Sequence, residues 1–231
     1  MTNAVDYGRP YHWWGPGPAP RAPLPLLDLL DNGTIGLELA ATLWASLAGG
    51  RSLTIIGGPS GLGKSTLLHA LFPSLPSERD RLYLRGCYET FKFQREPAYS
   101  PGRTTLLVNE ISPHLPIYLW GPAVRRTLVA GEDGCQILAT AHGRSVVEFV
   151  GSLTGSPLRI PTPLIAATGL VALLEPTPDG ARRQVTEVWQ LSAAQYGVAI
   201  DRLLPGELPT GTTADQVAVA RAAVLSIAAP D

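Results

Sequence analysis

The sequence is poor in cysteine and in charged residues. Its 231 residues include only two cysteines, Cys87 and Cys135, with no CxxC pair and no histidines at metal-ligand spacing. This pattern excludes a disulfide framework and indicates reduced thiols in a cytoplasmic protein. Charged residues make up 16% of the chain, below the roughly 25% of ordinary soluble domains. The deficit favours a surface that is partly covered by a partner or by other copies of the chain.

Long apolar runs and an excess of one charge are missing too. No stretch approaches the ~18 continuous apolar residues of a membrane span, and the N-terminus has no basic segment followed by an apolar one, as a secretion signal would. Lys+Arg 18 against Asp+Glu 19 gives a net charge of -1, which argues against nucleic-acid binding through bulk charge. With 45% hydrophobic residues, the chain predicts a soluble, cytoplasmic globular protein.

Proline is concentrated at the N-terminus, where the pair Trp13 and Trp14 also lies. Six prolines fall within residues 1–25, a density that prevents helix and sheet and favours extended polyproline II. We predict an arm over residues 1–29, laid over the domain surface or docked through its tryptophans on a neighbouring subunit. Residues 30–231 are predicted to form one domain.

Downstream, apolar periodicity alternates between strand and helix lengths. The predicted elements are a helix within 33–49, a strand at 52–56, a helix from Lys64, strands at 81–85 and 105–108, a helix at 122–130 and a strand at 136–140. Such alternation predicts an α/β fold with a mostly parallel sheet flanked by helices. Residues 170–175 and 184–191 flank the turn Pro178-Asp179-Gly180 and predict a C-terminal antiparallel hairpin. A last helix is predicted at 213–228.

The strongest motif follows the first predicted strand and fits G-x-x-x-x-G-K-[ST] in full. Its residues are Gly58, Pro59, Ser60, Gly61, Leu62, Gly63, Lys64 and Ser65, with Thr66 next to it. The glycines let backbone N–H groups converge on phosphates, and the helix that begins at Lys64 points its positive end at the same place. Lys64 supplies a charge to the β and γ phosphates and Ser65 a hydroxyl to Mg²⁺. The motif predicts a P-loop NTPase with a nucleoside triphosphate site, but it does not say which reaction follows.

A second strand is expected to deliver an acidic group beside the loop. Thr104–Glu110 is apolar and ends in Asn109-Glu110. Glu110 is predicted to be the catalytic base and a metal-site residue, with a helix charge or a surface glutamate as the alternative. Asn109 stands where the common pattern has an aspartate, so weaker Mg²⁺ binding is predicted.

The strand Gln136–Thr140 leads to His142. Polar residues at the carboxyl ends of such strands reach the ligand crevice, so His142 is predicted to sense the γ-phosphate; a core or capping histidine is the alternative. His12, His69 and His114 are assigned structural roles. Arg125, Arg126 and Arg144 are candidates for charge stabilisation across a subunit boundary, against the alternative of a solvated face.

These segments together resemble the motor ATPases of type II and type IV secretion and pilus assembly, especially the CpaF-like and VirB-like branch. Besides the loop, Arg103–Glu110 resembles the family's "DxIIVGE" strand, and Gly131–His142 is similar to its "GHDGSLTTIHA" box. Residues 170–188 resemble its "DLIV…DGxRRVTEI" hairpin, so the resemblance covers roughly residues 30–192. It implies a RecA-like P-loop NTPase fold, ATP and Mg²⁺ as ligands, a hexameric homo-oligomer and secretion or pilus machinery as partner.

The chain departs from this family in three places. The family's separate N-terminal domain, which supplies arginines, has no counterpart in the roughly 30 residues before the core, so a partner would replace it. The family's Walker B aspartate is matched by Thr104, and its acidic box is reduced to Glu89. Three hypotheses follow: a motor that hydrolyses ATP, a degenerate switch or structural subunit with little turnover, and a P-loop kinase that acts on a small acceptor.

Overall fold

The computed structural model describes residues 24–58 and 61–227. The predicted contacts of Trp13 and Trp14, and the loop residues Pro59 and Ser60, lie outside these ranges. The division into an arm and a domain therefore stays a prediction. Residues 26–29 of the predicted arm, however, begin a short helix whose Leu26 and Leu29 are buried in the core.

The described residues form seven strands and seven α-helices. The helices are α1 (Leu26–Asp31), α2 (Leu37–Ala48), α3 (Lys64–Ala70), α4 (Pro122–Glu132), α5 (Val146–Thr154), α6 (Thr162–Ile165) and α7 (Ala214–Ser226). The strands are β1 (Leu53–Gly57), β2 (Asp80–Tyr83), β3 (Thr104–Ile111), β4 (Gln136–His142), β5 (Leu170–Pro176), β6 (Arg183–Ala194) and β7 (Gly197–Leu203). In the described ranges no helix is both long and apolar enough to cross a membrane.

The strands form one sheet in the order β2-β3-β4-β1-β5-β6-β7. The first five of these are mutually parallel. Strand β6 runs antiparallel to β5, and β7 runs antiparallel to β6. The predicted α/β fold with a mostly parallel sheet and a C-terminal antiparallel hairpin is thus confirmed. Strands β1 and β3 are buried throughout, as expected for parallel strands that are covered on both faces.

Two hydrophobic clusters cover the two faces of the sheet. The first joins α1, α2, α3 and α7, and the second joins α4, α5 and α6. Helix α2 is buried over most of its length, from Ala40 to Leu47, and packs against α7. Because helices cover both faces of the sheet, polar side chains collect at the ends of the strands.

Three neighbouring strands, β3, β4 and β1, end at the same edge of the sheet. Gly57 at the end of β1 lies opposite His142 at the end of β4, and Ile111 of β3 pairs with Ala141. Both β3 and β4 extend beyond their predicted ends, far enough to include Glu110 and His142. The carboxyl edge therefore collects the residues that the sequence singled out.

Helix α5 and strand β7 were not predicted. The side chain of Ser145 caps α5 by accepting a hydrogen bond from Glu148 N at 3.1 Å, and this S-x-x-E spacing is a helix-start signal readable from the sequence. Strand β7 is different, because it pairs with a β6 that continues to Ala194. Its formation depends on that partner.

Candidate functional site

The phosphate loop connects β1 to α3 at the carboxyl edge. Gly61 and Gly63 have φ of 74° and 94°, the left-handed region that side chains with a Cβ rarely enter. Gly57, just before the loop, is also restricted. A Cβ there would lie 2.8 Å from the Leu174 carbonyl oxygen and 2.9 Å from Leu62 Cδ2. The backbone of the loop therefore requires glycine at more positions than the motif itself specifies.

Lys64, the first residue of α3, is 5% exposed although it carries a charge. Its Nζ lies 3.9 Å from Oε2 of Glu110. Burial lowers the pKa of Lys64, and the negative charge of Glu110 partly opposes this shift. The lysine is thus held beside the loop with one carboxylate as its ionic partner.

Glu110 lies in an irregular part of β3. Val108 pairs with Ala139 but Ile111 pairs with Ala141, so three steps on β3 match two on β4. Such a bulge turns side chains away from their regular alternation. The Thr140 hydroxyl donates to the Asn109 carbonyl within the bulge. As a result, the carboxylate of Glu110 is buried between Lys64 and His142.

His142 connects Glu110 to the phosphate loop. Its Nε2 lies 2.6 Å from Oε1 of Glu110, and its Nδ1 lies 3.0 Å from the Gly58 carbonyl oxygen. A carbonyl oxygen only accepts hydrogen bonds, and so does an ionised carboxylate. Both contacts are hydrogen bonds only if the ring carries two protons or the carboxylate carries one. The ring of His142 thus lies between the buried carboxylate and the loop.

Asn109, which stands where the common pattern has an aspartate, holds the backbone with its amide. Its Nδ2 donates to the Ile117 carbonyl at 3.0 Å, and its Oδ1 accepts from the Glu110 N–H at 2.7 Å. Both polar atoms of the amide are thus used to hold the backbone. An aspartate could not donate the first of these bonds.

The residues at this edge fit a Mg²⁺ ion that is held mainly by a nucleotide. Mg²⁺ keeps several waters and uses one or two protein oxygens together with substrate phosphates. Ser65 is half-buried at the start of α3, and Glu110 supplies the carboxylate. In the ranges 24–58 and 61–227, no three His, Cys, Asp or Glu side chains form a metal-binding group. Ser65 and Glu110 would hold the ion only together with phosphate oxygens.

The structure adds two aromatic residues from the loop after β3. The ring of His114 packs edge-on against His142, with centroids 4.5 Å apart. His114, which was assigned a structural role, therefore lies next to a residue of the site. Burial and the charge of Glu110 raise the pKa of Tyr118. The loop reaches the site because Leu119 N donates to the Glu110 carbonyl at 2.8 Å. No motif in the sequence signals this return.

Two arginines lie against the phosphate loop. Measured from the position that a Cβ would take on each glycine, Arg144 Cγ is 3.3 Å from Gly58 and Arg183 Cδ is 4.0 Å from Gly63. Arg144 was a candidate from the sequence; Arg183 was not. Arg126 instead packs over the ring of Phe91 at 4.3 Å, and the structure gives Arg125 no contact with the loop.

Glu89, the predicted remnant of the acidic box, has a structural role. Its two carboxylate oxygens accept hydrogen bonds from the backbone N–H of Arg85 at 2.9 Å and of Phe91 at 2.6 Å. Phe91 has φ of 56°, so the carboxylate supports an unfavourable backbone conformation. Both oxygens are committed to this loop.

A cavity of about 630 Å³ lies apart from these residues, and its lining is mainly apolar. It is bordered by the first turns of α2, by residues 185–188 of β6 and by the segment 202–209. None of the predicted loop or catalytic residues lines it. The polar cluster around Glu110, rather than this cavity, is the candidate site.

No protein-family model matches the chain, but it is similar to known proteins, three of which follow. The uncharacterized protein MJ0900 of Methanocaldococcus jannaschii is 27% identical over 158 residues, 60% of this chain and 28% of that protein. The VirB11 ATPase of the Brucella suis type IV secretion system is 17% identical over 71% of this chain, with TM-score 0.47. The Legionella pneumophila ATPase DotB is 21% identical over 75%, with TM-score 0.41.

The chain spans 54% and 52% of the two solved chains. It spans little more than a quarter of the M. jannaschii protein.

Proposed function

We propose that the protein binds ATP with Mg²⁺ and hydrolyses it as the motor domain of an oligomeric secretion or pilus-type assembly. The observation that carries this proposal is the convergence of Lys64, Glu110 and His142 on the phosphate loop. The three residues come from α3, β3 and β4, and they are joined by contacts of 3.9 Å and 2.6 Å. A base, a cation and a polar residue bound to the loop are the parts that phosphoryl transfer to water requires.

Each residue has a separate role in this proposal. Lys64 binds the β and γ phosphates, and the N–H groups of the glycine loop bind the remaining phosphate oxygens. Oε2 of Glu110 takes the proton of the attacking water, because Oε1 is already held by His142. A bound Mg²⁺ would neutralise phosphate charge with Ser65 and Glu110 as its protein neighbours.

His142 relays the state of the loop to the base. Its Nδ1 contact with Gly58 at 3.0 Å lies on the loop itself, so phosphate binding that shifts Gly58 also shifts the ring. A shifted ring releases Oε1 of Glu110 from its 2.6 Å contact. The position of the carboxylate, and so of Oε2, then depends on whether the loop is filled.

A second function has a specific observation in its favour. The carboxylate of Glu110 lies against His142, and the amide of Asn109 is used by backbone hydrogen bonds. A protein that binds ATP as a structural switch, with little turnover, would retain these same features. This is the alternative that the decisive experiment must separate from a motor.

The experiment is Mg²⁺-dependent phosphate release from ATP without an acceptor, over a wide range of protein concentrations. We expect turnover per subunit to rise with concentration, because the assembled form completes the site. Lys64→Ala should abolish release, whereas Lys92→Ala changes the chain's other lysine, which is exposed, and should not. ATP binding without release by the parent would instead favour the switch. ADP formation that needs a small acceptor and yields the phosphorylated acceptor, with no free phosphate, would favour a kinase.

A further inference from the structure

Arg144 and Arg183 lie near the two ends of the phosphate loop, at Gly58 and Gly63. Arg144 follows His142 after the end of β4, and Arg183 is the first residue of β6. The Cγ of Arg144 lies 3.3 Å from the position that a Cβ would take on Gly58, the first glycine of the motif. The side chain of Arg183 approaches Gly63, which directly precedes Lys64.

Neither arginine has a carboxylate partner. Ion pairs among the described residues join Lys64 and His142 to Glu110, Arg202 to Glu187 and Arg221 to Glu38, and none involves the guanidinium of Arg144 or Arg183. Glu148 is the nearest acidic contact of Arg144, but its carboxylate accepts from the backbone N–H of that residue at 2.9 Å. Both side chains are exposed.

The charge around the loop is therefore unbalanced. Lys64, Arg144 and Arg183 contribute three cationic groups, and Glu110 is the carboxylate that contacts Lys64 and His142. The two exposed arginines have no acidic partner and lie near the backbone amides of the loop. Such an arrangement favours the binding of a polyanion. Guanidinium groups bind phosphate oxygens through two parallel hydrogen bonds.

We infer that Arg144 and Arg183 form a clamp on the terminal phosphates of a bound nucleoside triphosphate, supplied by the same chain that supplies the loop. The inference rests on the proposed nucleotide binding and adds its source of arginines. Nδ1 of His142 contacts the Gly58 carbonyl oxygen, and the side chain of Arg144 lies beside the same residue. Segment 142–144 therefore brings one hydrogen-bonding and one charged group to the same part of the loop.

The clamp makes the site selective for ATP over ADP. A triphosphate carries an additional charged group for the guanidinium groups to bind, whereas a diphosphate leaves them partly unpaired. Charge-assisted hydrogen bonds of this kind correspond to about a tenfold change in affinity. The effect should weaken at high salt, because both arginines are exposed.

The test is a set of binding titrations with ATP and ADP, each with Mg²⁺, on the full chain. Arg144→Ala and Arg183→Ala should each lower the ATP-to-ADP affinity ratio by about tenfold. Arg182→Ala is the matched control. It removes the side chain of an exposed arginine next to Arg183 and should leave the ratio unchanged. The hydrogen bonds of Arg182 to Thr177 use its backbone and are retained.

Two further comparisons separate the ways in which the idea can fail. If the parent and Lys64→Ala bind ATP equally, nucleotide binding at the loop is wrong and the clamp falls with it. If Lys64→Ala loses binding while the Arg144 and Arg183 variants keep the ratio of Arg182→Ala, the clamp alone is wrong. Arg144→Lys should restore part of the ratio, because the charge returns without the planar fork.

Discussion

Oε1 of Glu110 and Nε2 of His142 lie 2.6 Å apart, at the ends of two adjacent strands. The other ring nitrogen of His142 faces the Gly58 carbonyl oxygen at 3.0 Å. The proposed base is therefore connected to the phosphate loop by a single imidazole ring. This connection makes both binding and turnover sensitive to a small number of side chains, and four predictions follow from the geometry.

Replacing Glu110 by Gln should separate binding from hydrolysis. The amide keeps the size of the side chain but cannot accept the proton of an attacking water. We expect ATP binding to persist and phosphate release to fall by about 10²–10⁴-fold. Release at the parent rate would show that another group is the base.

The ATP affinity should fall at alkaline pH because the cation is buried. Burial lowers the pKa of Lys64, and Glu110 only partly opposes this, so Lys64 loses its charge below the ordinary value of about 10.4. Titrating ATP affinity from pH 7 to pH 10 should show the loss. Lys64→Arg, which stays charged over this range, should remove the alkaline loss; a loss of the same size in that variant would assign it to another group.

The same pKa shift has a consequence for stability, with a defined sign. The folded pKa lies below the unfolded one, so the charged lysine costs stability at neutral pH. This cost disappears as the pH rises through the folded pKa toward about 10.4. Tyr118 acts in the opposite direction. Burial and the charge of Glu110 raise its pKa, so stability falls as the pH rises above about 10, where the unfolded chain loses this proton first.

Asn109→Asp should destabilise the protein rather than improve its metal binding. The aspartate would place a carboxylate oxygen against the Ile117 carbonyl, which now accepts from Nδ2 at 3.0 Å. We expect a loss of about 1–3 kcal/mol in the free energy of unfolding. Asn32→Asp is the control, because Oδ1 of Asn32 only accepts, from Thr34 N at 3.0 Å and Thr34 Oγ1 at 2.6 Å.

Chemical denaturation of both variants, with and without Mg²⁺ and ATP, gives the measurement. An Asn109→Asp protein that is as stable as Asn32→Asp and binds Mg²⁺ more tightly would restore the metal-ligand hypothesis for this position.

Gly57→Ala should destabilise the fold next to the loop. The new Cβ would lie 2.8 Å from the Leu174 carbonyl oxygen, and this backbone atom cannot move without disturbing the pairing of β1 with β5. Overpacking of this kind costs about 1–3 kcal/mol. Gly102→Ala has no atom within 4 Å of its Cβ and should change thermal unfolding little; equal stability of the two variants would contradict the close approach at Gly57.

Much of the fold could be predicted from local sequence signals. The alternation of apolar strands with helices, the turn at Pro178-Asp179-Gly180 and the glycine loop all depend on residues that are neighbours along the chain. The strands built from them pair as expected, with β5 and β6 antiparallel. Glu110 and His142 were identified as candidates because each comes at the end of an apolar strand.

The missed residues all depend on long-range contacts. His114 and Tyr118 reach the site only because the loop after β3 folds back, with Leu119 N bonded to the Glu110 carbonyl. Arg183 is 120 positions from Gly63 in the chain, and antiparallel pairing of β6 with β5 carries it to the edge where β1 ends. Side-chain chemistry alone contains no signal for such proximity.

The sequence by itself determined which chemical groups are present: one phosphate loop, its lysine and serine, and a glutamate and a histidine at strand ends. The tertiary structure decided how they meet. The bulge at Asn109-Glu110, held by the Thr140 hydroxyl, aims the carboxylate between Lys64 and His142. A bulge depends on the register of two strands, and register is set by packing across the whole sheet rather than by the residues that it repositions.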